Sequence, residues 1–160
     1  MTALAWSEAL ALKQPRMDQT HREFIELLQD LSNALNAGNT DLDRPLAGLL
    51  AHTEAHFAQE ERWMADIGFA PENCHSMQHA QVLQVLREVR RVQGEDGNTA
   101  LVRTLVDELA RWFVGHAQMM DATLAELMIE RGYDPDTGTL LNPPAPEGQP
   151  ITGCGGSSCS

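Results

Sequence analysis

HFAQEERW, residues 56–63, lies in a run with the spacing of a buried helix, yet it puts a histidine and, one turn later, a glutamate on the inward side. Stepping outward by threes and fours, the same face holds Leu46, Leu49, Thr53, His56, Glu60, Trp63 and Ile67. This is bundle-core spacing with two ionisable groups at its middle. Glutamate is almost never fully buried unless paired, and an unpaired buried carboxylate keeps its proton. Something must compensate Glu60.

The chain punctuation predicts four helices around this one. Residues 1–17 lack sustained periodicity and form an arm, with Trp6 as its anchor. The first helix is expected from about Asp18 to Ala37, stopping at AGNT with Gly38 as its cap. The second spans about Arg44 to Asp66, with Pro45 in its first turn, and GFAP separates it from a third, Pro71 to Val92. QGEDGN breaks the chain again, and a fourth helix starts near Thr99 behind Asn98 and runs to Arg131, where Gly132 ends it and Pro135 blocks a restart. No strand pattern is visible. The predicted fold is all-α: an up-down-up-down antiparallel four-helix bundle over 18–131, with an N-terminal arm and a Pro/Gly/Ser-rich C-terminal tail over 132–160, whose last 20 residues, LNPPAPEGQPITGCGGSSCS, are expected to be disordered.

Every other helix repeats the anomaly. The first carries His21 with Phe24, Ile25, Leu28, Leu31 and Leu35 on one face, and the third carries His75, His79, Val82, Leu86 and Val89. The fourth carries Val102, Leu105, Leu109, Trp112 and His116, followed by Asp121. Antiparallel packing brings these heights together at one end of the bundle. A lone histidine on an apolar stripe is ordinarily a satisfied core residue. That reading fails for the set, because five of the six histidines fall on inward stripes beside two acids. Without cations they form a costly buried polar cluster, so a metal centre is expected. Seven ligands exceed one tetrahedral zinc, whereas imidazoles with bridging carboxylates on facing helices suit a dinuclear iron site. On two six-coordinate ions, five imidazoles, two bridging carboxylates and a bridging solvent oxygen leave one position open for a small ligand such as dioxygen.

The motifs Asp18-x-x-His21, His56-Phe57-x-x-Glu60-Glu61, His75-x-x-x-His79 and His116-x-x-x-x-Asp121, in this order between Trp6 and Leu127, resemble those of the hemerythrins, specifically the bacterial ones. On an ideal α-helix His116 and Asp121 stand about 140° apart, so Asp121 enters the ligand set through the resemblance. The resemblance implies two iron ions per chain, Fe2+ when deoxy and Fe3+ when oxy, with a bridging oxo or hydroxo group. His75, His79 and His116 are implied for one iron and His21 and His56 for the other, which keeps the open position, while Glu60 and Asp121 bridge. It also implies reversible dioxygen binding for storage, delivery or sensing, not enzymatic turnover, and small-anion binding in the oxidised form. Five neutral imidazoles suit a carrier, since di-iron oxygenases of related bundles use mostly carboxylates. Two rival readings of the same scaffold stay open: a peroxidase or nitric-oxide-processing redox enzyme, and an interaction module that responds to oxygen or redox state.

The oxygen pocket is expected to include Phe57, Trp112, Phe113 and Ala117. Ala117 stands where the family usually has a bulky aliphatic residue, so a roomier pocket and faster oxidation are expected. His52 lies about 40° off the ligand line and Glu61 points off the stripe, which suggests surface or supporting roles. Met64, Met77, Met119 and Met120 are read as packing and Cys74 as an inert thiol.

Composition agrees with such a protein. Hydrophobic residues are 42% of 160, enough for one ordinary globular core. Asp and Glu number 23 against 11 Lys and Arg, and the net charge of −12 disfavours nucleic acid and anionic membrane. MTALAWSEALALKQ lacks the charged start and long apolar run of a signal peptide, and no stretch is long enough to span a bilayer. Three cysteines, two of them Cys154 and Cys159 in the tail, do not form a disulfide framework, so a cytoplasmic location is expected.

Overall fold

The computed structural model describes residues 4–153. The four predicted helices form a closed bundle. Helix α1 (Pro15–Asn36) packs on α2 (Asp43–Ile67) and α4 (Thr99–His116), and α3 (Cys74–Asp96) packs on α2 and α4. A π-helical turn, Ala117–Asp121, joins α4 to α5 (Ala122–Glu130), so the long fourth helix is continuous but not regular.

Local chemistry sets the helix ends. Helix α1 begins at Pro15, earlier than expected, because Pro15 needs no N–H partner at the first position and Gln14 accepts from Met17 N at 2.8 Å. The third helix starts at Cys74, not Pro71. Asn73 and Ser76 form a reciprocal capping box there, each side chain accepting from the other's backbone N–H at 3.0 Å. The same helix runs on through Gly94 and ends only at Gly97, whose φ of 68° is the left-handed turn glycine tolerates. Gly68, at φ 103°, ends α2 in the same way.

The apolar stripes make two clusters. The larger includes Phe24, Leu28, Leu49, Leu86, Leu105, Phe113 and Ala117. The smaller includes Met17, Trp63, Met64, Ile67, Leu124, Ala125 and Met128. His21 lies between Met17 and Phe24 in sequence and Asp121 between Ala117 and Leu124, so along these helices a polar layer separates the two cores. Of the methionines read as packing, Met64 is buried, whereas Met77 and Met119 are 59% and 68% exposed. Those two lie on the outer faces of their helices and do not pack.

The termini add detail that periodicity did not carry. In the arm, Arg22 stacks its guanidinium 4.4 Å over the Trp6 ring. After Gly132 a two-residue hairpin pairs Tyr133–Asp134 with Thr139–Leu140, an addition to the all-helical expectation. Such short strands leave no alternation to read. The chain then returns to the α2–α3 loop, where Ile151 bridges Phe69 and Ala70 N donates to Ile151 O at 2.8 Å. Cys74 N, one of the unsatisfied donors of the first turn of α3, donates to Thr152 O at 3.1 Å. The expectation of a disordered tail is thereby narrowed, since residues 142–153 include chain hydrogen-bonded to the bundle. Cys74 is disulfide-bonded, which overturns its reading as an inert thiol. Its sequence neighbours hold no cysteine, so only the fold brings a partner to it. The readings of Cys154 and Cys159 lie outside the described residues.

Candidate metal centre

Two of the bundle helices, α2 and α3, bring paired donors to the polar layer by the same device, one helical turn between them. His56 and Glu60 are separated by four residues on α2, and His75 and His79 by four on α3. His116 and Asp121 are five apart, and the π turn solves the angular problem that this spacing poses. Its i→i+5 backbone bonding, with Ala122 N on Ala117 O, widens the helix so that both side chains reach the layer. His21 comes from the first turns of α1. All seven side chains are at most 4% exposed.

Their donor atoms fall into two groups, Glu60 with His75, His79, His116 and Asp121, and His21 with His56 and Glu60. Within each, the donors lie within 4.8 Å of one another. Glu60 faces both. Its Oε1 lies 2.9 Å from His56 Nε2, while its Oε2 lies 3.4 Å from His75 Nε2 and 3.3 Å from His79 Nε2. Asp121 divides likewise, with Oδ2 3.1 Å from His21 Nε2 and Oδ1 3.0 Å from His75 Nε2 and 3.1 Å from His116 Nε2. Each carboxylate therefore offers one oxygen to each side.

These contacts are close, but many are not hydrogen bonds. His21 Nε2, His75 Nε2, Glu60 Oε2 and both Asp121 oxygens are buried without a partner in hydrogen-bonding geometry. Each buried, unsatisfied polar atom costs about 1–3 kcal/mol, and more when charged. Convergent, unsatisfied N and O donors fit divalent or trivalent cations, which take the place of the missing hydrogens. In the metal-free protein, protons compensate only in part. Burial pulls His21 and His75 down, yet the Asp121 and Glu60 carboxylates beside them outweigh it and lift both to about 9. Burial pushes Asp121 and Glu60 up, but the surrounding imidazoles hold both well below the ordinary carboxylate range. Burial leaves His116 below its ordinary value.

The second ring nitrogens distinguish the two sides. His79 Nδ1 donates to Glu61 Oε1 at 3.3 Å and His116 Nδ1 to Gln78 Oε1 at 2.9 Å. The Nδ1 atoms of His21 and His56 are buried with no partner among the described residues. Glu61 thus has the supporting place expected of a residue off the stripe. His52 also stays outside both groups, with Nε2 3.1 Å from Thr20 O. Sequence reasoning missed Gln78, which stands at the edge of the third helix's stripe and differs in no visible way from the neighbouring glutamines.

Aromatic rings wall the layer. Phe113 meets His21 edge-on at 5.1 Å and stacks on Phe24, a wall residue not expected from sequence. Phe57 lies flat against His79 at 3.8 Å, and Trp112 stacks on His116 at 4.4 Å. Phe113 therefore faces the two-histidine side, whereas Phe57 and Trp112 press chiefly on the three-histidine side. Ala117 is fully buried in the larger core.

Comparison with known proteins points the same way as this geometry. Residues 14–128 match the family described as the hemerythrin HHE cation binding domain. The chain is 41% identical over 134 residues to a bacteriohemerythrin of Ralstonia nicotianae, covering 84% of this chain and 95% of that protein. It is 29% identical over 132 residues to a bacteriohemerythrin of Stenotrophomonas maltophilia (79% and 82% covered). A Pseudomonas aeruginosa bacteriohemerythrin is 27% identical over 125 residues (76% and 79%). No solved structure matches significantly.

Proposed function

Because the chain belongs to the hemerythrin family, we propose that its polar layer holds two iron ions and binds dioxygen reversibly, as a carrier, store or sensor and not as an enzyme. The observation that carries this reading is the division of donors into two groups that share Glu60. His75, His79 and His116 would hold one ion and His21 and His56 the other, with Glu60 and Asp121 each turning one oxygen toward either group. The chemistry that a bound iron pair would supply there is reversible electron donation to dioxygen.

The protein's part is selection and protection. The two-histidine group has fewer donors, so it is the side with room for a small ligand. Phe113, backed by Phe24, covers His21 with apolar surface, which excludes water and stray protons and so disfavours irreversible oxidation. The donors are mostly neutral imidazoles, which leave the ion pair less electron-rich than a carboxylate shell does and favour release over bond cleavage.

The test is optical. The protein is loaded with ferrous iron without oxygen, its visible spectrum recorded, air admitted, and the oxygen purged again. Two irons per chain and a charge-transfer band that appears with air and vanishes on purging are the expected results. A one-way change to a stable diferric spectrum overturns the carrier reading and favours redox chemistry on the same site.

A further inference from the structure

The two hydrogen bonds that leave the cluster on its three-histidine side differ in kind, one ending on a carboxylate and the other on a neutral amide. His116 is held at three places. Its Nε2 faces Asp121 Oδ1 at 3.1 Å, its ring face stacks on Trp112, and its Nδ1 meets Gln78 Oε1 at 2.9 Å. An amide oxygen carries no hydrogen, so the one in this bond belongs to Nδ1. The Nε2 lone pair is then free to point into the cluster. With the amide turned over, its NH2 would donate to Nδ1 and leave the hydrogen on Nε2, where a cation must sit. Gln78 lies on α3 and His116 at the end of α4, so this bond also ties the two helices together at the height of the site.

We propose that Gln78 is a positioning residue of the metal centre: its side-chain carbonyl fixes the tautomer and ring angle of His116 and thereby retains the ion on the three-histidine side. The inference rests on the proposed function only in requiring that His116 face a metal ion. Losing such an outer partner of a ligating histidine typically weakens metal binding about 10–100-fold. Gln78 is only half-buried and belongs to neither apolar cluster, so replacing it leaves the cores intact.

The test compares the full chain with Gln78→Leu, which removes the acceptor, and Gln78→Glu, which keeps it. Each is loaded anaerobically with cobalt(II), and the two ions are titrated out with a competing chelator while the cobalt d–d bands are followed. The expected result is that Q78L gives up one of its two ions about 10–100-fold more readily, with altered bands, that Q78E retains both as the parent does, and that all three metal-free proteins keep the parent's helical content and cooperative unfolding. Parent-like retention in Q78L overturns the proposal, and so does a loss in Q78E equal to that in Q78L, because the acceptor is then not what matters. A parent that holds no ion overturns both readings. A parent that holds two ions but fails the optical dioxygen test overturns the carrier reading alone, and the cobalt comparison still decides the role of Gln78.

Discussion

Glu60 and Asp121 are buried acids that each face histidines on two sides, and the metal-free protein answers them with protons on His21 and His75. Their raised values fix the sign of the pH dependence. The stabilisation these imidazolium groups give is complete below the ordinary histidine value near 6.5 and is lost as pH rises through about 9. The depressed carboxylates act in the opposite sense, with stabilisation present above their ordinary range and lost as pH falls. Cations require neutral imidazoles, so metal uptake near pH 7.5 must expel those protons. We expect the protons released per chain at about pH 7.5 to exceed those released near pH 10.5 by about two, read with an indicator dye in weak buffer. Equal release at the two values would refute this account. Ala117 sets a second residue-scale expectation, since a methyl group fills less of the wall than a branched side chain does. Ala117→Ile should slow conversion to the diferric form several-fold, followed by the decay of the oxygenated spectrum. An unchanged rate removes Ala117 from the pocket.

At the scale of the element, the first turn of α3 does the most for the site. It carries His75 and leads directly into the turn that carries His79, and its orphan N–H groups are satisfied by Asn73 and by the returning chain at Thr152. Asn73 also donates to Ala70 O at 2.8 Å, so it holds both the helix and the loop before it. Asn73→Ala should lower the unfolding free energy by about 1–2 kcal/mol, measured by urea denaturation of the metal-free protein. It should also speed loss of metal from the loaded form. Stability within experimental error of the parent would mean that the returning chain alone holds this turn. The π turn after α4 has a comparable role. It absorbs one extra residue, and Leu124, Ala125 and Met128 remain in the smaller core while Asp121 reaches the polar layer.

At the scale of the molecule, two apolar cores flank a polar plane, and a covalent bond at Cys74 sits at one edge of that plane. A disulfide typically contributes about 2–4 kcal/mol to the stability of the fold it closes. Protein denatured without reductant should show one reactive thiol per chain, and three after reduction. Reduction should also lower the melting temperature by several degrees. Three reactive thiols without reductant would show that the bond does not persist in solution. No helix among the described residues is long and apolar enough to cross a membrane.

The bundle was legible in the sequence because 3.6-residue periodicity, helix-stopping glycines and capping residues are local properties. The candidate ligands His21, His56, Glu60, His75, His79 and His116 were legible for the same reason, since an ionisable group on an apolar stripe is visible before any contact is known. Asp121 was legible only through the family resemblance, because regular α-helical geometry turns it away from His116, and only the packed structure shows the π turn that restores it. Gln78 and the bond at Cys74 were equally hidden. A half-exposed glutamine looks like any other polar surface residue, and a cysteine's partner is set by where the chain returns, not by what surrounds it in sequence. Periodicity therefore determined which faces turn inward, while tertiary packing alone decided which atoms meet across the helices, because those distances depend on every element at once.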